Sequence, residues 1–325
     1  MRLELSSLID AELTPLVAET RAFYAHRRAG RGPATLEELR RIRAAAPAPA
    51  RSEPGPAPEV VRAGGRTVPI RVHEPVDGQP AGVLLEIHGG GFYMGSAAAS
   101  DVYSRRLADA LGVAVVSVDY RLAPECPWPA APDDCETAAL WLAEHAESRF
   151  GTRQLEITGF SAGATLAVAT LVRLRDRGIT AFGGAVLQFG TYDLSGQTPA
   201  GRLIADEYFL DAYAANAPDR THPDLSPLFA DLTGLPPVLM VVGRDDVLLE
   251  DNLAMAVRLL AAGVEVDLRI YPASPHGFTG HPTPVGRAAA DGMEKWLRNC
   301  LHTPSFRHAA ASDVGPVTPE STAAM

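Results

Sequence analysis

No apolar run in the 325 residues reaches the roughly 18–20 needed to cross a bilayer, so a membrane-spanning helix is not expected. Cysteine is scarce. Cys126, Cys135 and Cys300 are the only three, an odd number without paired spacing, which excludes a disulfide framework or a zinc site and fits reduced thiols. Positive charge is in deficit, with 29 basic against 39 acidic side chains and a net charge of -10. Nucleic acid and anionic membrane are therefore poor partners, because both attract basic surfaces. Lysine is nearly absent: Lys295 stands alone among arginines, a bias of composition and not of mechanism. The opening segment MRLELSSLIDAELTPLVAET is broken by acids, unlike the apolar core of a signal peptide, so the expected location is cytoplasmic. What is present, 46% hydrophobic and 21% charged residues, is the make-up of an ordinary globular domain.

The first 45 residues read as two short helices. Leu5, Leu8, Ile9, Leu13, Leu16 and Val17 recur at helical spacing, and Thr35 stands three residues before Glu38 as a capping pair. Proline and alanine dominate 46–58, a linker that holds neither helix nor ladder. From 59 to 301 short apolar strands alternate with amphipathic helices. Strands are predicted at 59–63, 66–73, 82–87, 113–118, 155–158, 184–187, 237–242 and 266–271, the first two joined by a Gly64-Gly65 hairpin turn. Helices are predicted at 98–111, 133–147, 162–175, 252–262 and 286–301. This pattern specifies an α/β protein with a mostly parallel central sheet, flanked by helices on both faces, with an antiparallel hairpin at one edge. The stretch 192–228 breaks the alternation and reads as a helical insertion that could join the N-terminal helices over a pocket. The tail 302–325 is rich in Ala, Pro, Ser and Thr and is expected to be disordered.

The strongest chemical signal is Gly159-Phe160-Ser161-Ala162-Gly163, set between a strand and a helix. A nucleophile elbow needs this context: small residues allow a tight strained turn that lifts Ser161 above the sheet at a helix N-terminus. Taken alone, it could equally be a plain small-residue turn. The second signal is His88-Gly89-Gly90-Gly91-Phe92 after the strand at 82–87. Its glycine amides could stabilise an oxyanion, with Gly89, Gly90 and Ala162 as donors. A phosphate loop is the alternative, but no GK[ST] or GxGxxG spacing accompanies it. A serine nucleophile requires a base and an orienting acid, in the chain order Ser, acid, His. An aspartate of the pair Asp245-Asp246 follows the strand at 237–242, and His276 follows the strand at 266–271. Singly, these are as well explained by a helix cap and a packed histidine; together, three ordered strand ends and a glycine loop define a triad. His26, His145, His281, His302 and His308 are expected to be solvated, and no cluster has metal-site spacing.

With HGGGF at His88, DYRLAPE at Asp119, PWPAAPDD after it, GFSAG at Ser161, SPLFADLTGLPP at Ser226, GRDDVLLED, AGVEV and PHGF at His276, the chain resembles the hormone-sensitive lipase family of α/β-hydrolases. The similarity runs from about His73 to Leu301, and it implies an α/β-hydrolase fold with a helical cap built from the N-terminal helices and the insertion. The resemblance places the nucleophile on Ser161, the base on His276 and, through a D-P-L pattern here read Asp246-Val247-Leu248, the acid on Asp246. It gives His88 and Gly91 a structural part in tying the glycine loop. Three departures stand out: Phe160 where the family has Asp, Cys126 where it commonly has His, and Val247 for Pro. The first removes a buried polar contact beneath the site, and substrate preference is where it should be felt. The implied activity is hydrolysis of small to medium acyl esters without metal or organic cofactor. Amide or formamide hydrolysis and acyl transfer could use the same triad, and a non-catalytic ligand-binding member of the fold would lack part of it. The family's pairing through its last strand and helix allows a homodimer, which no sequence feature demonstrates.

Overall fold

The structure, a computed structural model, describes residues 4–27, 32–45 and 55–302. Most of the proline-rich linker (46–54) and the tail after 302 lie outside the described residues. Eight strands form one sheet: β1 Glu59–Ala63, β2 Arg66–His73, β3 Val83–Ile87, β4 Ala114–Val118, β5 Leu155–Phe160, β6 Phe182–Gln188, β7 Val238–Gly243 and β8 Val266–Tyr271. Their spatial order is β1-β2-β4-β3-β5-β6-β7-β8. Strands β1 and β2 pair antiparallel, β2 meets β4 antiparallel, and every pairing from β4 through β8 is parallel. The antiparallel edge predicted from Gly64-Gly65 is thus present.

The helices are α1 Val17–Tyr24, α2 Leu36–Ala45, α3 Asp101–Leu111, α4 Ala130–Phe150, α5 Ala162–Asp176, α6 Pro199–Arg202, α7 Tyr208–Tyr213, α8 Leu249–Ala261 and α9 Pro284–His302. Successive strand residues feed opposite cores. Val83, Leu85 and Ile87 join the core beneath α4, α5 and α8, whereas Leu84 joins the one beneath α3 and α9. With both faces covered, the central strands β3 and β4 are fully buried and mostly apolar, interrupted only by Glu86 and Ser117. The N-terminal helix differs from its prediction. Residues Leu5–Leu8 and Ala11–Leu16 form 3₁₀ turns and only Val17–Tyr24 is α-helical, because Pro15 lacks the N–H that an α ladder needs. Thr35 does cap α2, its Oγ1 accepting from the Glu38 amide at 3.2 Å, while the Glu38 carboxylate takes the Ala34 amide at 2.9 Å. Helix α9 runs through His302, one residue into the expected tail. Among the described residues, no helix is long and apolar enough to cross a membrane.

The sheet face beneath α3 and α9 carries unusual polar cargo. Burial pushes the Glu86 carboxyl up to about 7, against the pull of the Ser117 and Ser100 hydroxyls. Burial alone pushes Glu156 up to about 8, and its Oε2 finds no partner among the described residues. Folded Glu156 therefore keeps a proton that the unfolded chain releases above about 4.5, so this group costs stability increasingly as pH rises from 4.5 to 8. Glu156→Gln removes that cost. Its melting temperature should exceed wild type by at least about 4 °C at pH 9 and differ little at pH 5. Equal shifts in scanning calorimetry at both pH values would disprove the buried-acid account.

Candidate active site

Strand β5 ends in Phe160 and helix α5 begins at Ala162, so Ser161 must turn the chain between them in one residue. It does so at φ 54°, ψ -119°, a strained conformation for a side chain bearing Cβ. The turn closes only because Gly163 lacks a Cβ, which would stand 2.0 Å from the Ile87 carbonyl oxygen. The Ser161 amide donates to the Gln188 carbonyl at the end of β6 (2.9 Å), and this fixes the elbow to the neighbouring strand. The Ser161 hydroxyl then lies 2.9 Å from His276 Nε2.

The His276 Nδ1–H donates to Asp246 Oδ2 at 3.0 Å and approaches Oδ1 at 3.2 Å. Asp246 has a fully buried side chain, while the imidazole is 37% exposed. The Asp246 Oδ1 also accepts the Leu248 amide at 2.9 Å, which holds the carboxylate at the start of α8. Asp245 is exposed, and its amide is spent on the Ser274 carbonyl. Strands β5, β7 and β8, all parallel, thus bring Ser161, Asp246 and His276 together at one rim, and of the Asp245-Asp246 pair it is Asp246 that bonds His276.

The glycine loop after β3 lies beside this rim. Gly90 takes φ +121°, open to glycine alone, and a Cβ there would meet the Met94 carbonyl oxygen at 2.2 Å. Its carbonyl accepts from Met94 and Tyr93 at 2.8 and 3.2 Å. The amides of Gly89, Gly90 and Ala162 make no hydrogen bond to another described residue. His88 does not reach Ser161. Its Nδ1–H donates to the Gly89 carbonyl at 2.8 Å, its ring stacks on Tyr120 at 4.1 Å, and the Tyr120 hydroxyl donates back to the His88 carbonyl. Burial lowers His88 to about 4, so the ring is a neutral strut. Gly91 sits at φ +59° with Phe209 of α7 packed over it.

Several contributors lay outside the predicted site. Arg43 of α2 donates to the Tyr93 carbonyl (2.6 and 2.9 Å) and to the Ala123 carbonyl (2.6 Å), and pairs with Glu125 (2.8 Å). It thereby fastens the N-terminal segment to the glycine loop. From the insertion, Tyr213 stacks on Phe92 with ring centroids 3.9 Å apart. Gln188 interrupts an apolar strand, a hint visible in the sequence; its Oε1 accepts from Thr279, just beyond His276, at 2.8 Å. His281 is a correction: it is partly buried and bonded to the Tyr24 hydroxyl at 2.9 Å because α1 packs against α9. His26 and His145 are exposed, as expected.

The described geometry belongs to a known class of protein. Residues 84–280 match the family model for the alpha/beta hydrolase fold. The chain is 34% identical over 229 residues to an ethyl acetate hydrolase of Pseudomonas putida, covering 66% of this chain and 72% of that one. It is likewise 34% identical over 244 residues to the carboxylic ester hydrolase LipN of Mycobacterium tuberculosis, covering 70% of this chain and 63% of LipN. A hyperthermophilic esterase from the archaeon Pyrobaculum calidifontis superposes with a TM-score of 0.70 at 31% identity, over 75% of this chain and 85% of that one. The chain belongs to the hormone-sensitive-lipase-like family of the α/β-hydrolase superfamily and is a hydrolase of the carboxylesterase type.

Proposed function

We propose that the protein hydrolyses esters of small to medium carboxylic acids through a Ser161–His276–Asp246 triad and an acyl-enzyme. The observation that carries this reading is the unbroken hydrogen-bond chain from the Ser161 hydroxyl through His276 to buried Asp246. His276 takes the Ser161 proton as Oγ attacks the ester carbonyl, and a tetrahedral oxyanion forms. The free amides of Gly89, Gly90 and Ala162 receive it, each such donor being worth about 2.7–4 kcal/mol elsewhere. His276 then protonates the leaving alcohol, and water repeats the sequence on the acyl-enzyme. Asp246 accepts from Nδ1 throughout, which keeps Nε2 facing the serine.

The N-terminal helices and the insertion 192–228 serve in this reading as a cap. Arg43 bonds the first to the glycine loop and α7 packs aromatic rings on it, which supports the assignment. Phe209 against Gly91 also places bulk beside the oxyanion donors, and this favours short acyl groups, as does the ethyl acetate hydrolase relative. The test is kcat/KM on p-nitrophenyl esters from acetyl to dodecanoyl. The rate should peak between acetyl and hexanoyl and fall toward dodecanoyl. A folded protein that cleaves none of them, or prefers dodecanoyl, would overturn the reading.

A further inference from the structure

Phe189 follows the last residue of β6 and breaks the rules of its strand. Along β6 the side chains alternate: Ala185 and Leu187 belong to the core beneath α4 and α5, Val186 to the opposite core. Alternation would send Phe189 after Leu187. It goes to the other side instead, into the cluster of Val186, Val241 and Phe278, with Phe160 packed against it. The reversal is made by the backbone, since Phe189 sits at φ +38°, left-handed territory that a bulky side chain seldom enters. The strained residue is held there by its amide, which donates to the Val241 carbonyl at 2.7 Å. Strain kept in a fully buried residue beside a reactive site points to use.

The reversed ring meets the imidazole. Phe189 and His276 have ring centroids 5.0 Å apart at 70°, an edge-to-face contact. Behind Phe189, Phe160 packs at 4.7 Å and 88°, and Phe278 closes the pocket at 5.9 Å. Phe160 is the residue that stands where the family has Asp, so the departure noted in the sequence supplies the back wall. Hydrogen bonds to Ser161 and Asp246 hold the imidazole against rotation about its Cβ–Cγ bond, but the first of them is given up and remade during turnover. An aromatic ring against its flank opposes that rotation.

We propose that Phe189, backed by Phe160, is a positioning residue that sets the plane of the His276 ring so that Nε2 meets the Ser161 hydroxyl. The proposal rests on the reading of His276 as the general base, and the experiment separates the two. Wild type, F189L, H276A and F189L/H276A are assayed on p-nitrophenyl butyrate, with circular dichroism and melting curves for each. F189L keeps an apolar side chain but no ring flank, so kcat should fall about 10- to 100-fold with KM changed less than about threefold. In the H276A background, where no imidazole remains to be positioned, F189L should change the residual rate by less than about twofold. F189L within twofold of wild type, a loss confined to KM, or the same fold loss in both backgrounds would overturn the positioning role. H276A turning over as fast as wild type would instead overturn the base assignment on which it rests. Should F189L fail to fold, F160L carries the same cycle: the expected kcat loss is about 3- to 10-fold, absent without His276, and no loss or an equal loss in both backgrounds overturns the proposal.

Discussion

Ser161→Ala is expected to lower kcat on p-nitrophenyl butyrate by on the order of 10⁶, with His276→Ala costing about as much and the double variant no more than either. In the proposed mechanism the size follows because the triad acts as one unit. Without Oγ there is no covalent intermediate, and without His276 the hydroxyl that lies 2.9 Å away keeps its proton. Six factors of ten amount to about 8 kcal/mol of transition-state stabilisation. A residual rate about 10³-fold above water should survive, because the amides of Gly89, Gly90 and Ala162 are untouched. Asp246→Asn should lose less, about 10⁴-fold, since it leaves geometry intact but reverses the hydrogen bond that sets the imidazole tautomer. Initial rates on protein purified from a host lacking background esterase decide the matter, with fluorophosphonate labelling of Ser161 as a check. Ser161→Ala retaining a tenth of wild-type kcat would remove the serine from the mechanism.

The largest expected loss of stability lies away from the rim, at Arg173→Met. Arg173 projects from α5 and binds Asp224 with both arms of its guanidinium, at 2.8 and 2.5 Å. Its third nitrogen donates to Asp133 at 2.8 Å and Glu136 at 3.2 Å, both on α4. Glu136 also takes Arg66 and Arg177, so three guanidinium groups face three carboxylates. With Arg173 only 17% and Asp224 13% exposed, removing the arginine strands a carboxylate that water reaches poorly. Breaking such a pair costs about 3–5 kcal/mol, and here about 3, because Glu136 keeps its other two partners. The melting temperature should drop by about 4–6 °C. Adding Asp224→Leu should restore part of it by removing the stranded charge. A single-variant shift under 2 °C would show the network to be a solvated surface feature. Asp224 belongs to the insertion 192–228, so these bonds also decide how firmly that segment is held to the hydrolase core.

Sequence alone reached far into this protein because its strongest signals are local. Strands show in the sequence as alternating or apolar stretches between turn residues, and three of the eight, the partly exposed β1, β2 and β8 at or next to the sheet edges, have the bounds their residues predicted. The elbow demands small residues around Ser161 within five positions, and the glycine loop demands glycine at Gly90 for its φ of +121°. Those demands are written in neighbouring letters. The rim positions of Ser161, His276 and an aspartate follow from strand ends, which periodicity also reveals. Choosing Asp246 over Asp245 does not follow from residue type, because both are carboxylates at one strand end; burial and the hydrogen bond to His276 separate them. Arg43 touches carbonyls 50 and 80 residues away, Arg173 a carboxylate 51 residues away, and Phe189 an imidazole across two strands. No local pattern encodes such meetings. The sequence by itself determined which backbone segments could be strands, turns and helices, since those choices are governed by sterics and period within a few residues. Only the tertiary structure decided which side chains share a desolvated neighbourhood, because desolvation depends on everything that packs around a site.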